Sequence, residues 1–441
     1  MEYARFFTHS LEHPRIARIL SAALQAVEPG AAVQRYLDAN PLPKNKRIFA
    51  LGLGKAAVPM TEALCRFTTV TAALVITKHA STSSLIPATV ILGGHPLPNE
   101  NSLKAGLAAL DFVSKLNEED LLICLISGGG SALMSAPIIS LEEMQTLTAA
   151  LLACGARIDE INTLRRHLDR VKGGGIANTT KARVLSLILS DVVGNPLEAI
   201  ASGPTAPDPT TKEDALAILE KYKLLDQPPK PRTTATQDSR PSQLRDFAVQ
   251  LSETLKPNDP FFSRVQNVIV ADNETAARAA LAQAEKEGFQ TEYLGSHWQG
   301  EAREVGRQLA KKLRGSEQAP LCFVAGGETT VTLRGDGVGG RNQELALAAV
   351  EALDGLQNVM LITLATDGED GPTDAAGAVV TGETCQRAKK LGLSVAGYLS
   401  QNDAYHFFEM LGDLLKIGPT STNVNDLAFC FFQDLSYSRN V

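Results

Sequence analysis

The stretch LLICLISGGGS, residues 121–131, decides the fold. Six apolar residues run together without alternation, so a strand built from them is covered on both faces. The run stops on a serine, three glycines and a second serine. Glycine adopts backbone angles closed to other residues, and three in a row let consecutive N–H groups point into one hollow. A buried strand that ends in such a hollow, with a helix to follow, is how α/β proteins receive anionic ligands. A flexible tight turn is the plain alternative.

The same pattern recurs in both directions along the chain. RIFALGLG (47–54), VLSLILSD (184–191), NVIVADNE (267–274), LCFVAGGE (321–328) and VMLITLATDGED (359–370) are apolar runs that end in glycine, serine or an acid. Helical stretches lie between them. NETAARAALAQAEKEG (273–288) has Asn273 placed as an N-cap and Gly288 as a stop, and NQELALAAVEALD (342–354) carries leucine and alanine at helical spacing. Strands alternating with helices predict an α/β architecture with mostly parallel sheets. A chain of 441 residues exceeds one core of ordinary size, so two domains are expected. The polar, proline-bearing segment DQPPKPRTTATQDSRPSQ (226–243) is the linker candidate and places a boundary near residue 240. The first 45 residues read as helical and could pack on either domain.

Composition narrows the function. With 42 basic and 49 acidic residues the net charge is −7, so the chain has no electrostatic footprint for nucleic acid or anionic membrane. No apolar run approaches the roughly 20 residues needed to span a bilayer. The opening MEYARFFTHS lacks the basic stretch and apolar core of a secretion signal, and a cytoplasmic location is expected. The six cysteines are scattered without a C-x-x-C pair, which reads as buried thiols and not as disulfides or zinc ligands.

An acidic chain that binds an anion must gather positive charge locally. GLGKAA (52–57) follows a strand and satisfies G-x-G-x-x-A, with Gly54 in the turn and Lys55 as a cation at the strand end. A dinucleotide site would also carry an acid about 20 residues on, at the end of the next strand. That strand, ALVITKHA (73–80), ends in Thr77, Lys78 and His79, which disfavours NAD and leaves NADP open through Lys78. Ser127, Gly128, Gly129, Gly130 and Ser131 form the candidate phosphate nest. Arg165, Arg166 and Lys172 lie in NTLRRH (162–167) and just beyond it, and arginine forks suit carboxylate and phosphate; a solvated helix face is the plain reading. Asp191 closes the strand VLSLILSD, either to hold Mg²⁺ or to cap a turn. In GDGVGGRNQE (335–344), Gly339 and Gly340 lead into Arg341 and Asn342 at a helix start. A cation there opposes the helix dipole unless an anion arrives. TDGEDGPTD (366–374) brings four acids to a strand end, with Asp367 nearest the strand, and GPTSTNVND (418–426) is a further polar loop. Both are metal or hydroxyl sites, or plain turns.

These loops, in this order, resemble the glycerate 2-kinase family. The carrying segments are GLGKAAVPM (52–60), GGHPLPNENS (93–102), ISGGGSALM (126–134), INTLRRHLDRVKGGG (161–175), SDVVGNPLEAIASGPTAPDPTT (190–211), GGETTVTLRGDGVGGRNQE (326–344), ATDGEDGPTDAAG (365–377) and GPTSTNVNDL (418–427). The resemblance implies two three-layer α/β domains, a Rossmann-like glycerate-kinase domain over residues 1–240 and a MOFRL domain over 241–441, with the active site in the cleft between them. It implies ATP-dependent phosphorylation of D-glycerate at the 2-hydroxyl. It makes Lys55 and Arg341 catalytic. The phosphates of ATP then fall to Gly54, the loop 127–131, Gly339, Gly340 and Asn342. Mg²⁺ falls to Asp191 and Asp367, and the glycerate carboxylate to Arg165, Arg166 or Lys172. The implied partners are small molecules only, with a monomer or homodimer expected. Some relatives carry the name hydroxypyruvate reductase, so NAD(P)H-dependent reduction is the alternative. Arg341→Ala is expected to fold normally and to lose most of kcat.

Overall fold

The computed structural model describes residues 2–44, 46–78, 88–224, 250–315 and 320–432. The linker candidate 226–243 and His79 lie outside the described residues. The chain divides into two compact units, one of residues 33–189 and 195–270, the other of residues 1–32, 190–194 and 271–441.

The first unit carries a six-stranded sheet. Its strands are β1 (Ile48–Leu53), β2 (Ala72–Thr77), β3 (Ala88–Leu92), β4 (Leu121–Ile126), β5 (Arg183–Leu189) and β6 (Val265–Ala271), in the order β3-β2-β1-β4-β5-β6. The pairings from β3 through β5 are parallel. Every residue of β4 is buried, as its unbroken apolar run requires. Helices Ala57–Phe67 and Glu100–Ser114 cover the β1, β2 and β3 region. The second of these starts on a capping box, in which the Asn99 side chain accepts the Asn101 and Ser102 N–H groups. A satellite core of Met144, Leu147, Leu151, Ile161, Leu164 and Leu219 packs helices Leu141–Ala153, Ile158–His167 and Lys212–Lys221 together. The chain leaves β1 on one side and reaches β4 on the other, so the strand order reverses between them. That reversal is the topological switch point where doubly wound sheets bind ligands.

The second unit differs from the sequence expectation. Its sheet runs β11 (Val379–Thr381), β10 (Val359–Ala365), β12 (Asp426–Phe432), β9 (Leu321–Thr330), β7 (Gln290–Tyr293), with β8 (Trp298–Glu301) also on β9. Parallel pairing is confined to β7 and β8 on β9; the other neighbours are antiparallel. The sheet is therefore mixed and not mostly parallel. A strand buried on both faces shows the same apolar run whichever way its neighbours point, so the run cannot report direction. Helices Ala302–Arg314 and Arg341–Leu353 pack on each other over one core of this unit. Helix Asn273–Lys286 lies against β9 and β7, and Pro14–Ala26 packs on that helix, with Arg18 held by Glu287 through two 2.7 Å hydrogen bonds. The N-cap is Asp272, which accepts from the Thr275 N–H; Asn273 instead donates to the Val424 and Asp426 carbonyls. The compact units of the fold are divided at other positions than the expected domains. β6 completes the first sheet, so the units change over at residues 270–271, and the first 32 residues join the second unit.

Candidate functional site

At the switch point the loops after β1 and β4 are locked together. The register pairs Leu53 with Ile126, which sets Gly54 beside Ser127. Gly54 has φ 117°, and a Cβ there would run into Ser127. Its N–H donates to the Ile76 carbonyl at 3.0 Å. The Lys55 N–H donates to the Gly128 carbonyl at 2.9 Å, and the Ala56 N–H to Ser127 Oγ at 3.0 Å. Gly54 and Ser127 are therefore fasteners. Their polar groups are buried and bonded within the fold.

Beyond the fasteners the loop is open. Gly129 sits in the left-handed region at φ 84° and ψ −8°, ahead of the short helix Gly130–Leu133. Among the described residues, the N–H groups of Gly129, Gly130 and Ser131 have no acceptor. Ser131 Oγ shares a 2.8 Å hydrogen bond with Ser202 Oγ. Left-handed geometry at one residue with helical geometry after it turns successive N–H groups toward one point, which suits an anion. Lys55 is exposed, and among the described residues its ammonium has no ion-pair partner.

Next to Ser131 a pocket is lined by Leu97, Ser135, Met144, Leu152, Arg165 and Lys172, among others. The three cations that sequence could not rank now separate. Arg166 is buried and paired with Asp208 at 2.9 Å, and its remaining N–H groups reach Thr163 and Thr210. Lys172 is buried on Asp169 at 2.6 Å, and Asp169 also accepts from Ser135 and the Ala136 and Val171 N–H groups. Both are already neutralised within the fold. Arg165 lines the pocket without a hydrogen-bonded partner among the described residues. Burial lowers its pKa, and the nearby Asp169 charge only partly offsets this.

The second glycine loop, in the other unit, is built differently. Arg341 opens its helix but does not face a vacant anion site. Its Nε donates to Asp426 at 2.5 Å and its Nη1 to Glu328 at 2.6 Å. Burial works against the charged guanidinium, yet the Asp426 and Glu328 carboxylates outweigh it and hold Arg341 above its ordinary value. The helix N-terminus is capped by Asp370, which accepts the Asn342 N–H at 3.1 Å and the Gln343 N–H at 2.8 Å. Gly340 lacks a side chain where a Cβ would strike Asp370. Asn342 is buried and bound to Asp370, so it is not available to a phosphate as expected. Gly339 is partly exposed.

Neither Asp426 nor Asp370 was singled out from sequence. Proximity to an apolar run favoured Asp367, and nothing local marks which acid turns inward to a helix start 28 residues earlier. Asp191 and Asp367 are partly exposed, both in the second unit. Asp367 Oδ1 accepts the Glu369 N–H at 3.2 Å. Among the described residues no three His, Cys, Asp or Glu side chains gather as a metal cage.

A sheet of order β3-β2-β1-β4-β5-β6, parallel from β3 through β5, with a hollow of N–H groups and a lysine that have no partner among the described residues at its switch point, is the arrangement of a ligand-binding α/β protein. Comparison with known proteins narrows the class. Residues 15–235 match the family described as Domain of unknown function (DUF4147), and residues 321–426 match the MOFRL family. A D-glycerate 2-kinase from Thermotoga maritima is 40% identical over 93% of this chain and 95% of its own length. An Agrobacterium vitis relative with a hydroxypyruvate reductase name is 36% identical, over 93% and 92%. The crystal structure of glycerate kinase from Thermotoga maritima superposes with a TM-score of 0.84 at 38% identity, covering 94% of this chain and 98% of that one. The chain belongs to the glycerate 2-kinase family.

Proposed function

We propose that this chain transfers the γ-phosphoryl group of ATP to the 2-hydroxyl of D-glycerate, giving 2-phosphoglycerate and ADP. The observation that carries the reading is the hollow of Gly129, Gly130 and Ser131 N–H groups beside Lys55, all without a partner among the described residues. Phosphoryl transfer asks the protein mainly for positioning and for positive charge where negative charge shifts. The hollow holds phosphate oxygens and Lys55 supplies positive charge to the group in flight; Arg341, on the second glycine loop, is proposed as the other catalytic cation. Asp191 and Asp367 are the carboxylates offered to Mg²⁺, which when bound neutralises charge on the phosphates. Arg165 takes the glycerate carboxylate as a bidentate fork. Gly339 stands as a second phosphate contact.

The strand order alone would also suit a dinucleotide, as a reductase requires. Where that fold places a ribose-binding acid, β2 ends in Thr77 followed by Lys78, and this counts against the reductase.

A coupled assay with ATP, Mg²⁺ and D-glycerate tests the proposal, with the product identified by whether a 2- or a 3-phosphoglycerate-consuming enzyme accepts it. The expected product is 2-phosphoglycerate. No ATP turnover, with NAD(P)H consumed on hydroxypyruvate, would replace the kinase with the reductase.

A further inference from the structure

The segment GGHPLPNENS carries a histidine to which the proposed chemistry gives no task. His95 follows β3 in the first unit and is partly exposed. Its ring borders the phosphate hollow. A Cβ built on Gly129 would lie 3.3 Å from His95 Cδ2, 3.5 Å from His95 Nε2 and 3.4 Å from Lys55 Cγ. Imidazole and lysine thus flank the same open space above the left-handed glycine. Two residues further along the same loop, Leu97 lines the pocket that holds Arg165 and Ser131. The loop therefore borders both the hollow and the acceptor pocket.

Among the described residues, neither ring nitrogen of His95 has a hydrogen-bond partner. His167 shows what a structural histidine looks like in this unit. It is fully buried, with Nδ1 2.8 Å from the Ser252 carbonyl and Nε2 3.3 Å from Thr210 Oγ1. His95 keeps both nitrogens available.

We infer that His95 accepts the proton of the substrate hydroxyl as the phosphoryl group is transferred. The inference rests on the kinase reading and assigns a further catalytic residue within it. In the step, an acceptor oxygen lone pair forms the new O–P bond. The bond from the γ-phosphorus to the bridging oxygen breaks, and its electron pair leaves with ADP. The hydroxyl proton passes to an imidazole nitrogen and then to solvent. Burial and then the charges of Lys55 and Lys78, the described charged groups that face it, push His95 below its ordinary value. The imidazole is accordingly neutral at neutral pH, as a base must be.

The test compares the full-length wild-type chain with His95→Gln under saturating ATP and Mg²⁺. The expected result is a fall in kcat of about 100-fold, within the range of general-base catalysis, with KM for ATP little changed. In wild type, kcat/KM for D-glycerate should rise with pH along a single-proton limb on the acid side, and the variant should lose that limb. A kcat within about threefold of wild type would overturn the inference, as would a KM for ATP that rises as far as kcat falls, because the residue would then be a phosphate contact. The wild-type profile decides the matter even if the variant folds poorly: an activity that is flat or falling with pH over that range excludes a base. A wild-type protein inactive on glycerate would instead overturn the kinase reading itself.

Discussion

Two glycine loops in this molecule look alike as sequence and are opposite as structure. Residues 127–131 and 339–344 each place glycines ahead of a helix start, with a cation close by. In the first, the fasteners Gly54 and Ser127 use up their own polar groups, while the Gly129, Gly130 and Ser131 N–H groups and the Lys55 ammonium have no partner among the described residues. In the second, three carboxylates close the site from inside: Asp370 caps the helix, while Asp426 and Glu328 hold Arg341. The cation beside glycine thus keeps its charge for a ligand in the first loop and shares it with carboxylates of the fold in the second. The first loop is the one proposed to take a ligand anion. The second holds its arginine in place with anions of its own.

Substitutions can break this comparison. The largest effect is expected at Arg341→Ala, which should lower kcat by on the order of 1,000-fold. It should not fold as normally as its sequence implies. Asp426 would be left buried without its partner, and breaking such a pair costs several kcal/mol; with Arg341 32% exposed, about 2 kcal/mol of lost stability is the discounted expectation from denaturant melts. Arg165→Gln should raise KM for glycerate roughly 30-fold, from the ~2 kcal/mol of a charge-assisted hydrogen bond, while leaving the melt unchanged. Arg166→Gln should do the reverse, because it strands the buried Asp208. An equal effect of both on KM would end the distinction between free and paired cations.

The glycines sharpen the contrast further. Gly129→Ala places a Cβ at φ 84° against His95 and Lys55. A left-handed alanine costs roughly 1–2 kcal/mol, and about a tenfold rise in KM for ATP is expected. Gly340→Ala should lower the melting temperature and leave KM for ATP nearly unchanged, since its Cβ meets Asp370 and not a ligand.

The effect least tied to activity is on pH dependence. Burial, with the Asp426 charge adding to it, raises the Asp370 carboxyl to about 7 against the hydrogen bonds it accepts from Gln343 and Asn342. A raised acid binds its proton more tightly folded than unfolded. Its contribution to stability is complete below the ordinary carboxylate value of about 4 and is lost as pH rises through about 7. Melting temperature should fall across that window in wild type, by roughly 2–4 °C for each kcal/mol lost. Asp370→Asn should flatten this part of the profile.

How much was readable beforehand follows from these particulars. The long apolar runs at β1, β4, β5, β9 and β10 announced their strands, because burial on both faces demands continuous apolar residues; the half-buried edge strand β6 was marked by its run VIVA alone. The polar edge strands β7 and β8, QTEY and WQGE, carry no such mark. The insertion of β12 between β9 and β10 turned the second sheet mixed, and strand direction leaves no trace in residue type. At the site, glycine runs and cations were visible because few residues can do their work. Their state of pairing was not, because Asp208, Asp370 and Asp426 lie far along the chain from the groups they neutralise. Polar residues alone cannot tell a ligand's contact from a structural ion pair; the difference is made by tertiary distance.

The most direct test of the account is Lys55→Ala, read by kcat for ATP-dependent phosphorylation of D-glycerate together with the thermal melt. The open loop predicts that kcat falls by on the order of 1,000-fold while stability stays within about 0.5 kcal/mol of wild type, since Lys55 is exposed and its ammonium has no partner to strand among the described residues. Turnover within a few-fold of wild type, or a loss accompanied by an equally weakened fold, would contradict it.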